Sequence, residues 1–207
     1  TVEVILCTQR NLCHPFKPLV AGKQRLGQIG IYNDKYVIKF YENSGYKTYF
    51  ATQPTAVCEA CELSAETEKI SGDEGWGYGL RFGGSKQNSG RFLINGKGNY
   101  AILKGLEDSV FRNKAGKWVF SPHIHPGNQE TLEIEQREGN LSFWANGELL
   151  ENMEISSTFR YERVSFAVHS NGQSATEIRF DNLRYAKTEE VQASDSAAEE
   201  SPLFFEI

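Results

Sequence analysis

Acidic side chains recur at two-residue spacing in this sequence: Glu62, Glu66 and Glu68 lie in CELSAETEKI, and Glu133 and Glu135 in LEIEQ. Two carboxyl groups cleave a glycosidic bond with retention when about 5 to 5.5 Å apart, or with inversion when about 6.5 to 9.5 Å apart. Positions i and i+2 of a strand are roughly 6.6 to 6.8 Å apart and point the same way. Glu66, Glu68, Glu133 and Glu135 are therefore admissible as catalytic acids. Acids that alternate with apolar residues are also the pattern of a strand with one solvated face, and the two readings stand side by side.

Carbohydrate binding asks for less: an aromatic plane for the C–H face of a sugar and planar polar groups for its hydroxyls. Trp144 meets the first need, because Phe143 and Ala145 on either side of it belong to the apolar set and turn the indole outward. Arg81 and Arg91 face outward on adjacent expected strands. Gly77 and Gly79 beside Arg81 allow close approach to the backbone, either by a ligand or by covering loops. The structural alternative places Trp144 under the N-terminal segment and pairs the arginines with Glu66 and Glu133.

His123 and His125 form a His-x-His half-site in Ser121-Pro122-His123-Ile124-His125-Pro126, where two prolines equally suit a rigid connection. Oxygen-rich turns at Ser71-Gly72-Asp73-Glu74 and Asp181-Asn182 admit a structural calcium, although neither is a dedicated calcium loop. The cysteines fall as Cys7-x5-Cys13 and Cys58-x2-Cys61, a set compatible with disulfides, one zinc site or free thiols. Nucleophile elbow, phosphate loop and dinucleotide fingerprint are missing, and Gly83-Gly84-Ser85-Lys86 lies between expected strands, not before a helix.

The elements that would carry these residues are short strands. The chain has 25 aromatic residues, 19 glycines and one methionine in 207 positions, and long helical periodicity is lacking. Strands are expected at about 35–41, 46–51, 61–70, 75–82, 90–95, 99–104, 109–112, 118–120, 131–137, 141–145, 148–151, 163–169 and 176–185. Asn43-Ser44-Gly45, Gly83-Gly84, Asn95-Gly96, Asn146-Gly147 and Asn171-Gly172 supply turn residues that tolerate positive φ, and Asn146-Gly147 is the clearest hairpin. Alternation assigns Leu63, Ala65, Leu80, Phe82, Phe92, Ile94, Leu132, Ile134, Phe143, Ala145, Phe166, Phe180 and their like to one core. The expected organisation is an N-terminal segment packing on the sandwich (1–28), one antiparallel β-sandwich of jelly-roll type (29–186) and a disordered acidic tail (187–207).

Charge supports that division. The net charge is −5, but residues 1 to 186 carry 21 basic and 21 acidic groups, so the excess belongs to the tail. A neutral body argues against nucleic-acid binding driven by phosphate contacts, and no apolar run approaches the roughly 18 residues of a spanning helix. The terminal Pro202-Leu203-Phe204-Phe205-Glu206-Ile207 reads as a linker stub or as a short docking peptide, so the tail is expected to link or dock the body to another domain.

The run YGLRFGGSKQNSGRFLINGKGNYAIL, then Gly116-Lys117-Trp118, ETLEIEQREGNLSFWANGELL, RVSFAVHS and EIRFDNLRY resembles the concanavalin A-like lectin/glucanase superfamily, in particular its laminin G-like and 3-keto-disaccharide hydrolase-type domains. The resemblance covers about residues 29 to 186. It implies a concanavalin A-like jelly roll and a non-catalytic, lectin-like module of a surface, periplasmic or extracellular protein. Such a module would take a glycan or protein partner, use Trp144, Arg81, Arg91 and Gly79, need no cofactor beyond a structural calcium, and favour disulfides among Cys7, Cys13, Cys58 and Cys61. The competing implications are a glycoside-processing enzyme and a structural protein-interaction domain. Glucanases of this type carry Glu-x-Asp-x-x-Glu, and here Ser64 stands nearest to the place of the Asp.

Overall fold

The computed structural model describes residues 4–6, 27–32, 35–41, 47–54, 60–84, 89–104, 109–110, 118–155, 163–170 and 173–187. The strands are β1 (Val4–Leu6), β2 (Gly27–Tyr32), β3 (Lys35–Phe40), β4 (Lys47–Pro54), β5 (Cys61–Ser71), β6 (Tyr78–Gly83), β7 (Ser89–Ile94) and β8 (Asn99–Lys104). They continue as β9 (Ser109–Val110), β10 (Val119–Phe120), β11 (Gln129–Arg137), β12 (Asn140–Ala145), β13 (Glu148–Glu154), β14 (Arg163–Ser170) and β15 (Thr176–Lys187). Among the described residues there is no helix, and so none long and apolar enough to cross a membrane.

All pairings are antiparallel and build two sheets. One has eight strands in the order β13-β12-β11-β5-β15-β3-β2, with β1 also on β15. The other has seven, in the order β10-β8-β7-β6-β14-β4, with β9 also on β8. The protein is an antiparallel β-sandwich, as the alternation of its residues requires.

Period-two alternation turns one side of each sheet inward, and the inward side chains meet between the layers. Phe143 of the eight-stranded sheet packs against Phe82 and Phe92 of the other, at ring-centroid distances of 5.6 and 5.4 Å. Phe166 and Phe180 stack across the sheets at 4.2 Å with ring planes 15° apart. Each of these phenylalanines is at most 2% exposed, and burying each one stabilises the fold by roughly 1.5 to 3 kcal/mol.

Several boundaries differ from expectation for local reasons. β1 and β2 lie in or reach into the stretch read as an N-terminal segment, and β1 pairs through Val4 with Ala186 and through Leu6 with Arg184. β6 starts at Tyr78 rather than Gly75, because Asp73 Oδ1 accepts the Gly75 N–H at 2.7 Å and holds residues 73 to 76 in a turn. The β7–β8 turn places its positive φ at Gly98 (74°), not at Asn95-Gly96. Asn95, 1% exposed, instead directs Oδ1 at the N–H groups of Lys97 (3.0 Å) and Asn99 (3.2 Å). Asn146 (54°) and Gly147 (83°) form the expected hairpin turn. The turns at 43–45 and 171–172, Ser85 to Asn88, the tail beyond Lys187 and the terminal apolar cluster lie outside the described residues.

Candidate functional site

Across the outer face of the eight-stranded sheet, register sets Leu149, Trp144, Glu133, Ser64 and Arg184 in one row. Trp144 is half-buried between two core residues, Phe143 and Ala145, and its indole Nε1 is buried without an acceptor. Leu149 beside it is 48% exposed. Ser142 and Thr131 point outward from the same two strands, so hydroxyl and carboxylate groups surround the ring.

The same face carries all the candidate acids, and the register sorts them. Glu135 stands directly opposite Glu62, and Glu133 opposite Ser64. Partial burial, then the charges of Glu62 and Glu135, push the Glu133 carboxyl above the usual range. Glu135 lies 3.6 Å from Arg137 Nε. Glu66 accepts hydrogen bonds from Gln129 Nε2 (2.7 Å) and Asn182 Nδ2 (2.8 Å), and Glu68 pairs with Lys35 at 3.4 Å. Glu62, Glu133 and Glu135 thus form an acidic group around the Glu62 and Glu135 pair. Glu66 and Glu68 are engaged at the other end of β5.

Arg81 and Arg91 sit opposite each other on β6 and β7, in the other sheet. Trp144 is on the outside of one layer and the arginines on the outside of the second, with the core between them. They share no groove, and Arg81 and Arg91 cannot reach Glu66 or Glu133. Alternation reveals which way a side chain points but not which sheet bears it, so the three residues looked alike in the sequence. The arginines are also only 8% and 2% exposed. Arg91 Nη1 lies 3.3 Å from His169 Nε2, and since a guanidinium can only donate, that ring nitrogen is the acceptor. Around the arginines the described face is closed at Leu93, Ala167, Ser165 and Asn95, each at most 1% exposed.

Gly77, just before β6, and Gly79 within it are explained by packing. A Cβ on Gly79 (φ 153°) would lie 2.3 Å from the carbonyl oxygen of Phe92, and one on Gly77 would lie 2.6 Å from Cη2 of Trp118. Gly77 is the seat of an indole, not the floor of an empty groove. Trp118 is 38% exposed, Val119 38% and Phe120 69%. The sequence marked these residues only as a short strand, although aromatic residues at i and i+2 were the signal that they share a side.

His123 and His125 lie in the loop that crosses from β10 of one sheet to β11 of the other. A carboxylate stands beside them, Glu130, its side chain 1% exposed. Glu130 Oε1 accepts the backbone N–H of His125 at 2.5 Å, Oε2 accepts from Asn146 Nδ2, and Oε2 is 4.0 Å from His125 Nδ1. Asn146 Nδ2 also donates to the His123 carbonyl at 2.8 Å, and its Oδ1 accepts the Thr131 N–H at 2.9 Å. Burial pushes the Glu130 carboxyl up, against the opposing effect of these bonds. The loop is a clamp between hairpin ends, its carboxylate directed at backbone.

At the two turns named as calcium candidates, the oxygens have protein partners. The Lys69 ammonium, its side chain 6% exposed, donates to the Asp73 carbonyl at 2.8 Å and lies 3.5 Å from Glu74 Oε1. It fills the place a cation would take. Asp181 Oδ1 accepts the Asn182 N–H at 2.8 Å. Among the described residues no group of three or more His, Cys, Asp or Glu is arranged to hold a metal. Cys61 is fully buried at the head of β5, and no cysteine among the described residues is free. Cys7, Cys13 and Cys58 lie outside them.

No protein-family model and no curated protein sequence matches the chain. Solved structures do match its fold. The carbohydrate binding module CBM66 from Bacillus subtilis superposes with a TM-score of 0.55 at 12% identity, over 78% of this chain and 92% of that one. A protein of unknown function with a galectin-like fold, also from Bacillus subtilis, gives 0.53 at 9% identity over 79% and 88%. A sialidase gives 0.56 at 11% identity over 79% of this chain, which spans only 16% of the sialidase. At such identities the likeness is one of architecture, a lectin-like β-sandwich.

Proposed function

We propose that this chain is a non-catalytic, lectin-like carbohydrate-recognition module of concanavalin A-like type, carried by a surface or extracellular protein. The observation that carries the reading is the outer face around Trp144, where a partly exposed indole stands opposite Glu133 with Ser142 and Thr131 turned outward on the same two strands. An aromatic plane stacks on the C–H face of a pyranose while carboxylate and hydroxyl oxygens pair with its hydroxyls. The lectin-like architecture of the matching structures supports the reading. In this proposal Arg81, Arg91 and Gly79 support the second sheet, the four cysteines pair as two disulfides in an oxidising compartment, and no cofactor takes part. The test is retention of the full chain on a panel of immobilised glycans. Binding by the wild type that Trp144→Ala weakens by about tenfold or more supports it, and a panel with no ligand sinks it.

A second reading, glycoside hydrolysis, draws on the grouping of Glu133 with Glu62 and Glu135 and on the raised Glu133 carboxyl, since a general acid with a raised pKa is half of a glycosidase pair. Reducing-sugar release that Glu133→Gln abolishes would favour it over the binding module. Absence of turnover across polysaccharides would leave the binding module alone.

A further inference from the structure

We infer that the edge of the seven-stranded sheet formed by Trp118 and Phe120 is a second carbohydrate platform, one that takes consecutive sugar faces of a linear polysaccharide. The inference rests on the glycan-recognition reading for its ligand class and on separate residues for its place.

Trp118 and Phe120 flank Val119, which pairs with Tyr100, so both aromatic side chains lie on the side of the strand opposite to the core. Their backbones are roughly 6.6 to 6.8 Å apart along the strand, which sets the two rings side by side for neighbouring sugars of one chain. Their exposure, 38% and 69%, contrasts with Leu93, Ala167, Ser165 and Asn95 of the same sheet, each at most 1% exposed.

The edge is built to hold still. The Trp118 ring rests on Gly77, where a Cβ would displace it, and Phe120 passes over Gly98, with a would-be Cβ 3.4 Å from Cε2. The Ser121 N–H donates to the Gly98 carbonyl at 2.9 Å, and the buried Asn95 and Glu130 fix the turn and the loop on either side. Such support lowers the ordering cost of binding. Asn99, directly across from Phe120, spends its Nδ2 on Asn95 Oδ1 at 3.3 Å and offers a carboxamide oxygen to a hydroxyl. A strip one strand wide cannot supply the roughly 800 Å² per partner of a standard protein interface, whereas it suits a single glycan chain.

The experiment measures retention of the full chain in gels containing soluble linear polysaccharides, with melting curves as controls. Phe120→Ala and Trp118→Ala are each expected to weaken retention about five- to tenfold while Phe120→Tyr preserves it. Gly77→Ala, which touches no ligand, is expected to weaken it by pushing the Trp118 ring off its seat. Retention unchanged in Trp118→Ala and Phe120→Ala overturns the inference, even if Trp144→Ala abolishes it and the module reading stands. No retention of the wild type on any glycan overturns the module reading itself and this platform with it.

Discussion

Glu62 and Glu135 face each other directly across β5 and β11, with Glu133 one pair further along. Like charges placed opposite on a sheet destabilise it by roughly 0.2 to 1 kcal/mol. Glu62→Gln should therefore raise stability by about that amount in urea unfolding at neutral pH, and the gain should shrink in high salt as screening removes the repulsion. The folded state holds the Glu133 proton more tightly than the unfolded chain does. Its penalty is thus present at neutral pH and lost as pH falls through the raised folded value. A stabilising effect of Glu133→Gln should accordingly be seen at neutral pH and vanish in acid. Gly79→Ala has the opposite sign: its Cβ would strike backbone at Phe92 and its φ is positive, so a loss of about 3 kcal/mol or more is expected in the same assay. At this scale the sequence was legible in direction and not in company. Trp144 was correctly turned outward by Phe143 and Ala145, but two-residue alternation carries no label for the sheet. The grouping of Glu133 with Glu62, and its separation from Arg81, depend on pairings between strands distant in the chain.

The strands themselves were legible because each alternates against turn residues with their own chemistry. The expected and observed β8 coincide at Asn99 to Lys104, and β12 differs by a single residue. What escaped was structure whose cause lies elsewhere. Glu138 takes a positive φ of 49° ahead of Gly139, although glutamate is not a turn-forming residue, because the paired β11 and β12 leave only that connection. The crossing loop, open in sequence to a His-x-His half-site or a rigid connection, is held by Glu130, five residues after His125, which turns back onto the His125 N–H. Removing its partner should be costly: Asn146→Ala deprives a buried carboxylate of a donor and releases the His123 and Thr131 backbones. A loss of about 3 kcal/mol in chemical denaturation is expected, whereas Asn146→Asp should lose more at neutral pH than in acid, where the two facing carboxyls no longer repel. Phe143→Ala, which empties the contact between the layers, should cost about 3 to 5 kcal/mol.

For the molecule as a whole, the charge division has a direct test. Since the body through Ala186 is neutral by composition and the acids follow it, a chain ending at Lys187 should melt where the full chain does, and a clear drop in Tm would show that the tail belongs to the fold. Chelation with EDTA should likewise leave the melting curve in place, because an ammonium already serves the oxygens of the 72–74 turn.

The position of the last two strands bears on how the protein is made. β15 lies between β5 and β3, and β14 lies between β6 and β4, so the final elements of the described chain fill the middle of both sheets. A ribosome that has delivered everything through β13 has delivered five separate pieces of sheet (β13-β12-β11-β5, β3-β2, β1, β10-β8-β7-β6 with β9, and β4), each with an open edge toward a neighbour not yet synthesised. Neither layer can close until the C-terminal strands emerge, and their pairings span most of the chain, which makes the search for them slow. Folding then waits for the synthesis of β14 and β15, and until they emerge the chain exposes unpaired edges that need protection.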